Sequence, residues 1–430
     1  VAALGGLLFG FDTAVIAGTT AGLRASFALN DNWLGFTVAI AVIGTVFGAL
    51  FAGTPGDRYG RRDSLRGMAL LYLISAIGCA LSWNLYSLLL FRFIGGLGIG
   101  GSSVLGPMYI AEIAPAKWRG RLVGLFQFNV VGGILVAYLS NYLIRQSHLG
   151  AEDWRWMLGV TGVPALFFLL MLFTIPRSPR WLVKKSRIGE ARKTLEAIGE
   201  ENIEAELRDI VASVDVEHGH GQESLYQAKY GFPIFLAVSI GMFNQLSGIN
   251  AILYYLNDIF AKAGFSNVSS DKQAVLIGFT NLCFTTLAMS IIDKVGRKTL
   301  LLIGSVGCAA SLAGVATIFL TDSHESLLVW MLIGFIASFS FSQGAVIWVY
   351  LSEVFPTRVR AQGQSLGSFS HWAMNAIITF SFPIIAAKSR GLPFVVFSIM
   401  MVVQFVVVLM VYPETKGVTL EDMQKKLGIA

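Results

Sequence analysis

The sequence predicts an all-α membrane protein in which twelve spanning helices form two six-helix bundles, one a parallel repeat of the other. Three observations lead there. Hydrophobic residues make up 55% of the 430 and charged residues only 13%, with a mean hydropathy of +0.66, whereas a water-soluble domain carries roughly 25% charge. Apolar runs long enough to cross a bilayer, about 20 residues each, recur twelve times. Short polar motifs at the ends of these runs occur once in each half of the chain.

The runs fall at 1–23, 34–53, 65–82, 85–107, 121–144, 155–175, 230–257, 273–292, 299–320, 327–351, 360–385 and 392–412. Their frequency excludes a water-soluble core. The chain opens inside the first run, so further residues are expected before Val1, and no signal peptide is judged. The repeat is carried by three matches at near-equal displacement. Asp57-Arg58-Tyr59-Gly60-Arg61-Arg62 returns as Asp293-Lys294-Val295-Gly296-Arg297-Lys298. Tyr109-Ile110-Ala111-Glu112-Ile113-Ala114-Pro115 returns as Tyr350-Leu351-Ser352-Glu353-Val354-Phe355-Pro356, and Pro176 returns as Pro413. The expected organisation is a first bundle at 1–175, a polar helical linker at 176–229, a second bundle at 230–413 and a tail at 414–430.

Basic residues set the expected orientation. Most of the 32 Lys and Arg lie in the loops after even-numbered runs, in the linker and in the tail. The opposite side holds Arg24, Arg145, Arg155, Lys262, Lys272, Lys388 and Arg390. By the positive-inside rule both termini face the cytoplasm. The net charge of +6 then reflects topology and anionic lipid, and no nucleic-acid partner is expected. Cys79, Cys283 and Cys308 lie far apart in apolar runs, so neither a disulfide nor a metal site is expected.

The first run holds one carboxylate, Asp12, within Gly5-Gly6-Leu7-Leu8-Phe9-Gly10-Phe11-Asp12-Thr13-Ala14-Val15-Ile16-Ala17-Gly18. An ionised side chain at a helix centre costs roughly 2.5–3.5 kcal/mol even on lenient insertion scales, and such acids face a partner or a wet cavity. The partner in view is Arg92, the basic residue inside another apolar run. Two readings follow: a structural ion pair, or an acid that titrates and couples proton movement to solute movement. A nearby cation favours the charged acid and burial favours the neutral one, so movement of Arg92 would load and unload the proton.

Arg92 opens a glycine run in which Gly96, Gly98 and Gly101 match G-x-G-x-x-G. A dinucleotide site needs that motif between a strand and a helix. Inside a membrane span, small residues let helices approach closely, and that is the expectation here. Between the halves, Ile188, Ala191, Leu195 and Ile198, and then Ile203, Leu207, Ile210 and Val214, fall at helical spacing. Two or three amphipathic helices are expected, followed by a flexible stretch from Val216 to Gly221.

With both halves, the loop motifs and the Asp12 stretch in view, the whole chain resembles the sugar porter family of the major facilitator superfamily, and is similar both to its bacterial sugar–proton symporters and to animal glucose facilitators. The resemblance implies a transporter and not an enzyme, with Asp12 as the coupling acid and Arg92 as its partner. It implies sugar contacts at Gln127, Asn244, Gln245, Asn250, Asn281, Trp348, His371, Trp372 and Asn375, and an outer gate at Tyr254 and Tyr255. Three positions depart from the family pattern. Ala345 follows Gly344 where a proline is usual, which bears on how helix ten bends. His371 stands for a glutamine or asparagine, and Arg177 replaces a glutamate in Pro176-Arg177-Ser178-Pro179-Arg180.

The residue types fit that chemistry. Sugar hydroxyls donate and accept, and side-chain amides do both; Trp348 and Trp372 offer flat faces to a pyranose. The competing reading of the amides is interhelical hydrogen bonding, about 0.6 kcal/mol each in a membrane protein. The repeated loop charges Asp57, Arg61, Glu112, Arg119, Asp293, Arg297, Glu353 and Arg358 are expected to pair between the halves and latch an outward-facing state. His371 is expected to be a neutral sugar contact, with a second protonation site as the alternative. His218 and His220 belong to the linker, and Asn267-Val268-Ser269 is a glycosylation sequon in an outer loop.

The function expected is proton-coupled symport of a monosaccharide, hexose or pentose, by a monomer in the cytoplasmic membrane, with proton, sugar and lipid as partners and no cofactor. The alternatives are a proton-independent facilitator, a polyol or inositol transporter, and a non-transporting sugar receptor. No metal-ligand cluster or nucleophile–His–acid set supports an enzyme.

Overall fold

The computed structural model describes residues 1–430 apart from 115–118, 201, 220–223, 357, 419 and 430; of 119, 120, 215–219, 420 and 421 it describes the backbone. Twelve helices are long and apolar enough to cross a membrane. They are α1 (Leu4–Phe27), α2 (Asp31–Phe51), α3 (Arg61–Ala80), α4 (Leu85–Ile113), α5 (Arg121–Gln146), α6 (Asp153–Met171), α7 (Ala228–Tyr254), α8 (Asn267–Val295), α9 (Arg297–Thr321), α10 (Glu325–Glu353), α11 (Arg360–Lys388) and α12 (Leu392–Val411). Several begin before their apolar runs because polar residues cap them. Asn30 accepts from the Trp33 N–H, Asn84 and Ser87 form a capping box, and Ser266 accepts from the Ser269 N–H, inside the sequon.

The repeat is visible in the packing. In the first half α1 lies on α5, α2 on α4 and α3 on α6; in the second, α7 lies on α11, α8 on α10 and α9 on α12. The halves meet where α2 runs along α11 and α5 along α8. The repeat also holds bond by bond. The Tyr109 hydroxyl donates to the Pro176 carbonyl (2.7 Å), and the Tyr350 hydroxyl to that of Pro413 (3.3 Å). Gly60 and Gly296 start α3 and α9 at φ of 94° and 102°, a backbone that only glycine adopts without strain.

The G-x-G-x-x-G stretch is continuous helix within α4, and no strand occurs among the described residues. A Cβ on Gly96 would stand 2.1 Å from the Ala41 carbonyl oxygen, so the glycine is what lets α2 and α4 touch backbone to backbone. The close-packing reading holds.

Three spans are interrupted, α6 only briefly, at Val160 and Thr161 between Asp153–Gly159 and Gly162–Met171. In α7 the helix Gly231–Leu246 breaks at Ser247 and Gly248 (φ +82°) and resumes as Ile249–Tyr254; a separate short helix, Leu256–Lys262, follows. In α10 the break is at Ser342 (φ −122°, ψ −88°), between Leu328–Phe341 and Gln343–Glu353. Helix ten therefore bends without the family's proline. The Ser342 hydroxyl donates to the Ser338 carbonyl at 2.6 Å, the back-bond that bends helices.

The linker forms three helices, Pro179–Lys184, Ile188–Ala197 and Ile203–Gly219. Ala191, Leu195, Leu207 and Val214 close over Trp181, Leu182 and Val183 in a small core of their own, as the helical spacing predicts. The expected flexible stretch is corrected in part: the last helix runs through Val216 to Gly219, while His220 and Gly221 lie outside the described residues, as does the side chain of His218.

Candidate functional site

Asp12 lies in the middle of α1 and Arg92 in the first turns of α4, two helices of the same half. The structure brings them together. Arg92 Nη1 stands 3.8 Å from Asp12 Oδ1, with the side chains 4% and 14% exposed. That distance is longer than a hydrogen bond, and Arg92 Nε is buried with no hydrogen-bond partner among the described residues. A structural pair would close to about 2.7–2.9 Å. The loose contact leaves Asp12 on a cavity of about 20 Å³, bordered by Phe9, Thr13, Thr45, Tyr254 and Trp372 among others. This holds a water but not a sugar.

Around the α7 break the amides bind one another. Gln245 Nε2 lies 3.1 Å from His371 Nε2 and donates to Asn244 Oδ1 (3.2 Å), and its Oε1 accepts from Asn250 Nδ2 (3.1 Å). Asn244 in turn donates to the Gln343 carbonyl beside the α10 break (3.4 Å). The His371 ring packs on Trp348 (5.3 Å) and edge-on to Trp372 (4.9 Å), and Trp372 continues to Phe9 at 5.5 Å. Asn244, Gln245, Asn250, Trp348, His371 and Trp372 thus form one cluster, which reaches the Asp12 cavity through Trp372. Its hydrogen-bonding groups satisfy one another.

Three predicted contacts lie apart from the cluster. Asn281 accepts from Ser340 (2.8 Å) and Thr285 (3.3 Å). Asn375 is fully buried; its amide donates to the Tyr254 hydroxyl (3.3 Å) and its Oδ1 accepts from Thr379 (2.9 Å). Gln127 is half-buried on α5 with no hydrogen bond to a described residue.

The predicted gate residues face two different chambers. Tyr254 borders the Asp12 cavity, while Tyr255, stacked on Phe382 at 5.2 Å, borders a second cavity at the end opposite the basic loops. That opposite end is shut by bonds the sequence reading did not find. Arg145 at the end of α5 grips Asp271 of α8 at 2.5 Å, Asp153 before α6 at 2.9 Å and the Gly18 carbonyl of α1 at 2.7 Å. Asn257 adds a bond to Asp271, Tyr138 of α5 donates to the Leu253 carbonyl (2.9 Å), and Thr20 of α1 donates to Asp258 (3.0 Å).

Asp258 makes this closure pH-dependent. Burial raises its pKa above the ordinary carboxylate value, against the Thr20 hydrogen bond and the charges of Arg24 and Lys262. Opening the cavity to water returns the carboxylate toward that ordinary value, so closing takes up a proton. The shut form is accordingly favoured below the ordinary pKa, and this contribution is lost as pH rises through the raised one. A distance measured across this end is expected to lengthen as pH rises through that window in the wild type, and to lose that component in Asp258→Asn.

The repeated loop charges pair inside each half in this form of the molecule. Arg61 binds Asp57 (2.7 Å) and Glu112 (3.0 Å), and Arg297 binds Asp293 (3.0 Å) and Glu353 (2.9 Å). Each set lies within one half. Arg358 is exposed, with no ion pair to a described residue, and the Arg119 side chain lies outside the described residues. The expected latch between halves is absent among the described side chains of this set. The bundles here are clamped at their other end, which holds this end apart, and Arg61 and Arg297 each have acids of their own half within reach.

Comparison with known proteins agrees with this geometry. The family profile described as "Sugar (and other) transporter" matches residues 1–427. The chain is 35% identical to the D-xylose-proton symporter of Escherichia coli (strain K12), over 99% of this chain and 94% of the relative. It is 36% identical to the arabinose-proton symporter of Bacillus subtilis (strain 168), over 99% and 93%. Among solved structures it superposes on the inward open conformation of the xylose transporter XylE from E. coli with a TM-score of 0.88, at 34% identity, covering 99% of this chain and 98% of that one. A sequence that follows one family from its first residue to its last turn, and shares the shape of a solved transporter, is placed by both: the chain belongs to the sugar (and other) transporter family.

Proposed function

We propose that this protein moves a monosaccharide, pentose or hexose, together with a proton across the cytoplasmic membrane by alternating access. The observation that carries the reading is the meeting of Asp12 and the amide cluster at Trp372, which puts a group able to hold a proton beside groups able to hold a sugar. The names of the relatives support it, since both are proton symporters of sugars. The basic ends are cytoplasmic by the positive-inside rule, with bundles at 1–175 and 230–413 joined by the 176–229 linker and the protein working as a monomer.

The steps follow from differential contacts. With the outer end open, Asp12 takes a proton, and sugar hydroxyls replace the mutual bonds of Gln245, Asn250 and His371. A neutral acid no longer holds Arg92, and the bundles close on the outer side through Arg145. Sugar and proton then leave toward the basic end, and the amides return to one another. Uptake of radiolabelled pentoses, hexoses and inositol into proteoliposomes, with and without a pH gradient, tests this. Gradient-driven accumulation of a pentose or hexose, with alkalinisation of the outer medium, is the expected result. Equilibration without proton movement identifies a facilitator and overturns the coupling.

A further inference from the structure

At the basic end the halves share the Arg61 and Arg297 pairs and the Tyr109 and Tyr350 bonds, but they differ just after the repeated proline. In the second half Glu414, just after Pro413, accepts the N–H groups of Arg297 (2.9 Å) and Lys298 (3.1 Å) at the start of α9. A carboxylate there meets the partial positive charge of a helix N-terminus. The residue just after Pro176 is Arg177, a cation in the matching place, and the acid in the first turn of α3 is the helix's own Asp63.

Arg177 turns to Asp63 (2.9 Å), which already pairs with Arg62 (3.0 Å) and Arg66 (2.8 Å). Three guanidinium groups share one carboxylate, and nearby Arg58 has no ion pair to a described residue. Between them opens a cavity lined by Arg58, Tyr59, Asp63, Ser64, Met68 and Arg177 among others. Ser64, which lines this cavity, is 5% exposed, and its buried hydroxyl has no hydrogen-bond partner among the described residues. Along α3 the same face continues as the exposed Leu70, Ile74 and Ile77, an apolar stripe suited to acyl chains.

We propose that this cavity binds the phosphate head-group of an anionic phospholipid. Arg58 and Arg177 meet the phosphate, the Ser64 hydroxyl donates to it, and the acyl chains lie along Leu70 to Ile77. Asp63 opposes the anion but is outnumbered by its own arginines. Where the second half carries an acid in Glu414, the first half carries a further cation in Arg177, and the membrane supplies the counter-charge that Asp63 alone does not.

The test is lipid retention by the full chain. Protein extracted from phosphatidylcholine vesicles containing phosphatidylglycerol is weighed intact by native mass spectrometry, against protein from phosphatidylcholine alone. Wild type is expected to retain phosphatidylglycerol. Each basic charge withdrawn is expected to weaken retention roughly five-fold, so Arg58→Gln and Arg177→Gln lose about that much and Arg177→Glu more; Ser64→Ala weakens it without touching charge. Arg187→Glu, at an exposed arginine paired with Glu190, is expected to change nothing. Equal retention in Arg177→Glu and wild type overturns the site, as does equal loss in Arg187→Glu. Displacement of the lipid by inorganic phosphate identifies a free anion as the ligand and overturns the lipid assignment. The readout needs no sugar, so it stands or falls apart from the transport reading.

Discussion

Asp12→Asn is expected to abolish uphill sugar accumulation while leaving exchange of labelled for unlabelled sugar across the same vesicles. One elementary charge moving through 100 mV is worth about 2.3 kcal/mol, which sustains roughly 50-fold accumulation at one proton per sugar. The asparagine carries no titrating group, so that ratio falls to unity. Exchange survives because asparagine is nearly isosteric, and because the cluster of Gln245, Asn250 and His371 lies on other helices and keeps its bonds. Accumulation by the variant on a proton gradient would remove Asp12 from the coupling.

The second large effect is expected at the outer end. Removing one member of a buried ion pair costs about 3–5 kcal/mol, because the other is left buried and uncompensated. Arg145 and Asp271 belong to different halves, and Asp271 is 1% exposed. The cost of Arg145→Ala therefore falls on the shut form alone, and its population against the open form drops by at least roughly 100-fold. Asp271→Asn should do less, since the amide still accepts from Arg145. Spin labels on cysteines at Leu149 and Leu327, in a background with the native cysteines replaced by alanine, report the separation as a distance. An unchanged distance distribution in Arg145→Ala would show that the closure rests on other bonds.

Much of this architecture was legible in the sequence because a bilayer imposes it residue by residue. Apolar length located the twelve spans, and an acid in one run with a cation in another located Asp12 and Arg92. The amides around Gln245 came from the family signature, since alone they read equally as interhelical glue. Arg145 and Asp271 carried no such signal: each looks like a loop charge at the end of an apolar run, and they are 126 residues apart in the chain. The pairing of the repeated loop charges was not legible for a related reason. A repeat shows that two sets exist, but not whether a member pairs inside its own half or with its counterpart, which depends on which end of the molecule is shut.

The serine at the bend of α10 has a mechanical consequence. A proline at the position of Ala345, three residues on, deletes a backbone donor for good and fixes an elbow in the rod. With Ala345 the donor is still present, and the kink is held by the Ser342 hydroxyl clasped to the Ser338 carbonyl. Turning that one rotamer lets the rod straighten, so α10 is a joint that can unlock, and the neighbouring Gln343 carbonyl can swing away from Asn244 as it does.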